Sequence, residues 1–152
     1  MIALKQLGPL VLHEYGNYRM FIIYTLSGVF GFFVSYLAGV TFTIGASAAV
    51  CGLIGAALYF GKSRGGTYGQ AIFRQIGGWA IGIFMFGFMV PAINNWAHGG
   101  GMLAGAALGF LMGYRDRNRE NQNHKIAALS CVFITALVLA WAILSSLYIL
   151  IQ

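Results

Sequence analysis

The chain has 152 residues, is 59% hydrophobic and only 8% charged, against about 25% charged residues in an ordinary soluble domain. Its nine basic and three acidic residues cluster, leaving long uncharged apolar stretches. That pattern excludes a soluble globular enzyme and points to one polytopic, all-α membrane domain spanning residues 1–152. The formal charge of +6 is a topology signal rather than a nucleic-acid footprint, so no nucleic-acid partner is expected.

Five membrane spans are predicted, at about 20–40, 43–60, 76–92, 95–114 and 126–151, each apolar enough to be a spanning helix. The connections alternate in character. Residues 1–19, 61–75 and 115–125 hold every charge, from Lys5, Glu14 and Arg19 to Arg115, Asp116, Arg117, Arg119, Glu120 and Lys125. The connections near 39–44 and 91–94 hold none. Lys and Arg accumulate on the cytoplasmic side, so the basic loops are expected there, in a cell (inner) membrane. They also suit anionic lipid headgroups, although solvated loops account for any single charge. No secretory signal peptide is visible at the start. Cys51 and Cys131 lie in different apolar stretches without CxxC spacing, which indicates neither a metal site nor a disulfide framework.

The second span opens Ile44-Gly45-Ala46-Ser47-Ala48-Ala49-Val50-Cys51-Gly52. A helix start leaves backbone N–H groups without internal partners, and these, with the positive helix end, stabilise an oxyanion. Ser47 would therefore combine a nucleophile with part of its oxyanion hole, its own backbone N–H included. The competing account is that small residues in spanning helices are packing surfaces.

The fourth span opens Asn94-Asn95-Trp96-Ala97-His98. Ionisable residues within a bilayer are costly and usually functional, and histidine suits a general base near neutral pH. The competing account is a buried histidine bonded to a backbone carbonyl. Asn94 or Asn95 is expected as N-cap and Trp96 as an interfacial anchor. Gly101, Gly105, Gly109 and Gly113 recur every four residues and would let another backbone approach. A matching face of Ser47, Cys51 and Gly55 on the second span is expected to pack there, with Gly45 keeping the approach to Ser47 uncrowded. Since both spans run inward from the same surface, Ser47 and His98 fall at one depth. A serine beside a histidine inside a membrane suits peptide-bond hydrolysis there. His13 and His124, in charged connections, carry no assigned role.

These segments resemble the rhomboid family of intramembrane serine proteases. The resemblance rests on Gly45-Ala46-Ser47 followed by Gly52 and Gly55, then Ala97-His98-x-x-Gly101-x-x-x-Gly105. Weaker matches are Leu4-x-x-Leu7-Gly8 with Glu14, similar to the end of the family's second helix and the loop after it, and Tyr24-x-x-Ser27-Gly28, similar to its third. The resemblance covers about residues 1–115 and implies a rhomboid-like helical bundle lacking its first helix and most of its second. Residues 126–151 would be an additional C-terminal helix. It further implies Ser47 as nucleophile, His98 as general base, no metal or cofactor, and transmembrane proteins as substrates, cleaved near the outer surface.

Three departures stand out. A His-x-x-x-Asn motif, which helps bind the oxyanion in the family's second helix, is missing, so the chain is expected to be an N-terminally truncated product. Ala48 stands where glycine usually follows the serine, and Cys51 where the family often has an aromatic residue. An alternative is a non-proteolytic rhomboid-like membrane protein, an inactive fragment or pseudoprotease that binds transmembrane helices. A small transporter using His98 as a proton relay is disfavoured, because no acidic residue falls within a predicted span.

Overall fold

The computed structural model describes residues 2–40, 42–90 and 93–151. Six helices follow one another: α1 Ile2–Tyr15, α2 Asn17–Leu37, α3 Ser47–Arg64, α4 Gly66–Met89, α5 Asn95–Met112 and α6 Gln122–Ile151. No strand occurs among the described residues. The all-helical membrane bundle expected from the sequence is what forms. Part of the predicted 91–94 connection, and the Ala92 end of the third span, lie outside the described residues.

The helices divide by composition. α2, α4 and α6 are long and apolar enough to cross a membrane. Their outward faces carry exposed residues such as Phe33, Phe88, Phe133 and Trp141, the side chains a lipid environment solvates. α3 and α5 have 18 residues each, about 27 Å at 1.5 Å per residue. They are rich in glycine and alanine and pack against each other, with α2 lying across both. α4 packs on α3, α1 on α3 and α2, and α6 on α2.

The α3–α5 contact explains their composition. A Cβ added at Gly101 would collide with the Ala48 backbone, one at Gly105 with the Gly52 backbone, and one at Gly55 with the Met102 carbonyl. Hydrocarbon gives no hydrophobic drive between helices, so such close backbone approach supplies the attraction through van der Waals packing. The glycine stripe predicted on the fourth span is thus real, with two corrections. Its partner face on α3 is Ala48, Gly52, Gly55 and Ala56, one position round from the predicted Ser47–Cys51–Gly55 face. Gly113 does not belong to it: its φ of +67° caps the C-terminus of α5, a conformation glycine adopts without penalty.

Two boundaries move because helices continue past the uncharged stretches. Residues 2–15 form α1, with Pro9 inside it and Leu7, Val11 and Tyr15 buried in the core; the helix end expected at Leu4–Gly8 therefore continues through Glu14 instead of giving way to a connection. α4 starts ten residues earlier than predicted, since only Gly65 separates it from α3; both Gly65 and Gly66 take positive φ. Lys5 is therefore ten residues of helix from Tyr15, about 15 Å, and Arg74 sits more than two turns into α4. The other basic residues gather at the end where α1, α3 and α5 finish. There Arg19, with no exposed surface, donates to the Gly113 carbonyl at 3.1 Å and the Arg119 carbonyl at 2.8 Å. Its backbone N–H donates to Glu120 Oε1 at 3.0 Å. Glu14 accepts from the Tyr68 hydroxyl at 2.8 Å, and Arg64 lies 3.0 Å from Asp116. This end fixes the entry of α6, while the opposite end holds the candidate site.

Candidate active site

Ser47 and His98 reach the same end of the molecule on the two helices in closest contact. Ser47 is the first residue of α3 and is exposed. His98 is the fourth residue of α5 and is only 7% exposed. Both line a cavity of about 780 Å³ bounded by the α2–α3 connection and the start of α5. Both also line a second cavity of about 440 Å³ on the other side, walled by Leu4 of α1, Tyr24 of α2, Cys51 of α3 and Phe86 of α4. Ile93 borders both cavities with them.

No hydrogen bond joins the two side chains, and His98 Nδ1 is buried without a partner. The bond to a backbone carbonyl that would make His98 a purely structural histidine is not formed at that nitrogen. Among the described residues no cluster of three or more histidine, cysteine or carboxylate side chains could hold a metal ion. Glu14 lies at the far, charged end, so no carboxylate orients the imidazole as in a triad.

The two helix starts differ in a way that bears on chemistry. Asn94 caps α5, its Oδ1 accepting from the Ala97 N–H at 3.1 Å. Ala46, the N-cap of α3, makes no side-chain bond. The first N–H groups of α3 are thus left without side-chain acceptors at the edge of the cavity, with the positive end of the helix behind them. Gly45, expected beside the site where it keeps the approach to Ser47 uncrowded, lines the larger cavity with Ser47; a Cβ there would meet nothing within 4 Å, and its φ of +98° shapes the turn into Ser47.

Three residues at this end escaped the sequence reading as a group. Asn94 Nδ2 donates to Ser35 Oγ at 2.5 Å and to Thr43 Oγ1 at 2.7 Å, and the two hydroxyls lie 2.8 Å apart. They come from the end of α2, the α2–α3 connection and the cap of α5. Only the shared depth of these polar residues in the topology could have signalled the cluster. Asn95 instead turns its side chain onto α4, where it fills the space beside Gly87 and reaches the Phe84 carbonyl at 3.5 Å.

Comparison with known proteins identifies the frame in which this geometry belongs. The rhomboid domain matches residues 1–115. The chain belongs to the rhomboid family. It is 35% identical over 116 residues to the rhomboid protease GluP of Bacillus subtilis, covering 71% of this chain and 22% of that protein. It is 35% identical over 118 residues to RHOMBOID-like protein 5 of Arabidopsis thaliana, covering 74% and 38%. With RHOMBOID-like protein 1 of the same plant it shares 31% identity over 159 residues, covering 91% and 40%. The chain thus spans between about a fifth and two fifths of the length of these relatives. No solved structure matches.

Two departures of this rhomboid from the expected pattern have visible accommodations. Ala48 is 1% exposed, and its methyl is admitted by Gly31 of α2, where an added Cβ would lie 2.8 Å from it. Cys51 is 2% exposed, one helical turn below Ser47, and borders the smaller cavity with Tyr24.

Proposed function

We propose that this chain is an intramembrane serine endopeptidase that cleaves transmembrane segments of other proteins with Ser47 as nucleophile and His98 as general base. The single observation that carries the reading is that both side chains border the same pair of cavities, one on the uncapped start of α3 and the other near the start of α5. The chemistry is acyl transfer. His98 takes the Ser47 proton as Ser47 Oγ attacks the scissile carbonyl. The free N–H groups at the start of α3, that of Ser47 included, receive the developing oxyanion. His98 then protonates the leaving amine, and water releases the acyl-enzyme. In the apo state catalytic hydrogen bonds are often long or unformed, so the absence of a Ser47–His98 bond does not exclude the pair. The charged end, with Arg64, Arg115 and Arg119, faces the cytoplasm in this reading, and the site opens near the outer surface of the membrane.

A second reading has one observation in its favour. The unpaired dyad, with His98 Nδ1 lacking any orienting partner, suits a rhomboid-like protein that binds transmembrane helices without cleaving them. One experiment separates the two. The chain is reconstituted in proteoliposomes with a single-span reporter helix and a fluorophosphonate probe. Cleavage and labelling that both disappear in Ser47→Ala and His98→Ala support the protease. A reporter that binds the chain but stays intact, with labelling unaffected by Ser47→Ala, refutes it and leaves the binding role.

A further inference from the structure

The Ser35–Thr43–Asn94 cluster closes a small ring of hydrogen bonds whose protons can be counted. The Asn94 amide nitrogen carries two protons, and one goes to each hydroxyl. Ser35 and Thr43 carry one proton each, and the contact between them uses only one. One hydroxyl proton therefore remains. Its position is decided by burial. Ser35 is 2% exposed, and it makes no bond to a carbonyl of its own helix, unlike Ser27, which donates to the Ile23 carbonyl. A spare proton on Ser35 would be a buried, unpaired donor, the costly arrangement. Thr43 is only half-buried and lines the larger cavity together with Ser47 and His98. Ser35 must then donate to Thr43, and Thr43, accepting from both partners, keeps its own proton for the cavity.

We propose that Thr43 is a substrate-binding residue: its hydroxyl, locked in direction by Ser35 and Asn94, donates a hydrogen bond to a backbone carbonyl of the substrate segment lying in the larger cavity. The inference rests on reading that cavity as the substrate site. The occupant needs an acceptor of this kind, because a transmembrane helix presents free carbonyls only in its last turn and where its own i to i+4 bonds are broken. An unwound stretch beside Ser47 has such carbonyls, and the interior of an intact helix does not. Thr43 is thus a selector for unwound backbone. Asn94 and Ser35 act only through it, as positioning residues.

The test uses the full chain with Ser47→Ala, so that no reporter is consumed. Its probe is a fluorescent single-span helix with a glycine pair near its outer end, titrated in bicelles. Adding Thr43→Val should weaken binding about three- to tenfold, the range expected for one neutral hydrogen bond. Thr43→Ser, which keeps the hydroxyl, should bind within twofold of the parent. Ser35→Ala should weaken binding, but by less than Thr43→Val does, because Thr43 keeps its proton while losing one of the two bonds that aim it. A reporter with the glycine pair replaced by leucines should bind equally to the parent and to Thr43→Val. Binding unchanged in Thr43→Val, failure of Thr43→Ser to restore it, a Ser35→Ala loss as large as that of Thr43→Val, or no binding to the parent overturns the proposal. Failure of the protease reading shows separately: the Ser47-intact chain leaves the reporter uncut while the Thr43 dependence of binding persists.

Discussion

Placing one methyl group at Gly105 is the most searching perturbation of this fold. A Cβ there would lie 2.5 Å from the Gly52 carbonyl carbon and 2.6 Å from its Cα, and closer still to its oxygen. All three are backbone atoms inside a helix, so no rotamer change relieves the overlap. Ordinary contact begins at 3.4 Å, so clearing the carbonyl carbon alone requires α3 and α5 to separate by roughly 0.9 Å, and clearing the oxygen requires more. Overpacking of this kind costs about 1 to 3 kcal/mol. Replacing a helical glycine by alanine returns about 1 kcal/mol of propensity. The expected net destabilisation is therefore about 0 to 2 kcal/mol. Gly105 is seven residues from His98, about 10 Å along α5, so the separation reaches the site. A displacement of about 1 Å between reacting groups costs on the order of a hundredfold in rate. Gly105→Ala should thus lose far more activity than stability, measured by reporter cleavage in proteoliposomes beside denaturant unfolding in micelles. Gly78→Ala is the control, because a Cβ at Gly78 of α4 meets nothing within 4 Å; it should keep the propensity gain of up to about 1 kcal/mol and leave cleavage unchanged. Gly105→Ala with unchanged stability and cleavage would refute the backbone seam.

Other substitutions test separate parts of the molecule. Arg19→Met removes two charge-assisted bonds that hold the carbonyls of Gly113 and Arg119; at about 1.5 kcal/mol each, it should destabilise the chain by about 3 kcal/mol in the same unfolding assay, and a loss below about 1 kcal/mol would contradict the clamp. Tyr15→Phe removes the 2.9 Å bond to the Ala56 carbonyl and should cost about 1 kcal/mol, with cleavage falling no further than the folded fraction. Gly31→Ala would set a Cβ 2.6 Å from the Ala97 carbonyl and 2.8 Å from the Ala48 methyl. It should destabilise by about 1 to 3 kcal/mol, and combining it with Ala48→Gly should recover only part of that loss, because the Ala97 carbonyl remains in the way.

Much of this architecture is legible in the sequence because bilayer physics is strict. The uncharged stretches had to be helices, and the alternation of charged and uncharged connections brought Ser47 and His98 to one end. The four-residue glycine repeat declared a close helix contact. Gly55 does belong to the partner face, but the rest of it was misplaced by one position because small residues surround Ser47 on every side, so Ala48 and Gly52 read no differently from Ser47 and Cys51. The end of α1 and the start of α4 were missed because hydropathy reports where the chain meets lipid, not where the helix ends. Arg19 looked like an ordinary basic residue of a cytoplasmic loop. Only the fold shows its guanidinium reaching across to the connection between α5 and α6. The ring formed by Ser35, Thr43 and Asn94 was invisible for the same reason: three unremarkable polar residues, 8 to 59 positions apart, acquire meaning only when one amide spans both hydroxyls.

The composition of α3 and α5 also sets a constraint on how the site is maintained. These two helices carry the proposed dyad, yet they fall short of the apolar length that α2, α4 and α6 possess. The glycines that allow the two backbones to touch are the same residues that weaken the attraction of α3 and α5 for lipid, and glycine also lowers the stability of a helix in isolation. The pair therefore depends on its neighbours to stay in the membrane and in register. α2 covers both, and its two ends are tied differently: Arg19 to the α5–α6 connection, and Ser35 to Thr43 and Asn94. Loosening the Arg19 end should lower stability while leaving the chemistry of the folded fraction intact, because nearly the full length of α5 separates Gly113 from His98. Loosening the Asn94 end should cost about 1 kcal/mol for the lost cap of α5 and should in addition lower the chemistry of the folded fraction, since that tie joins the segment before Ser47 to the helix carrying His98. Asn94→Ala and Arg19→Met, compared for cleavage per folded molecule, make the distinction measurable. A larger per-molecule loss for Arg19→Met would show that register is set from the charged end instead.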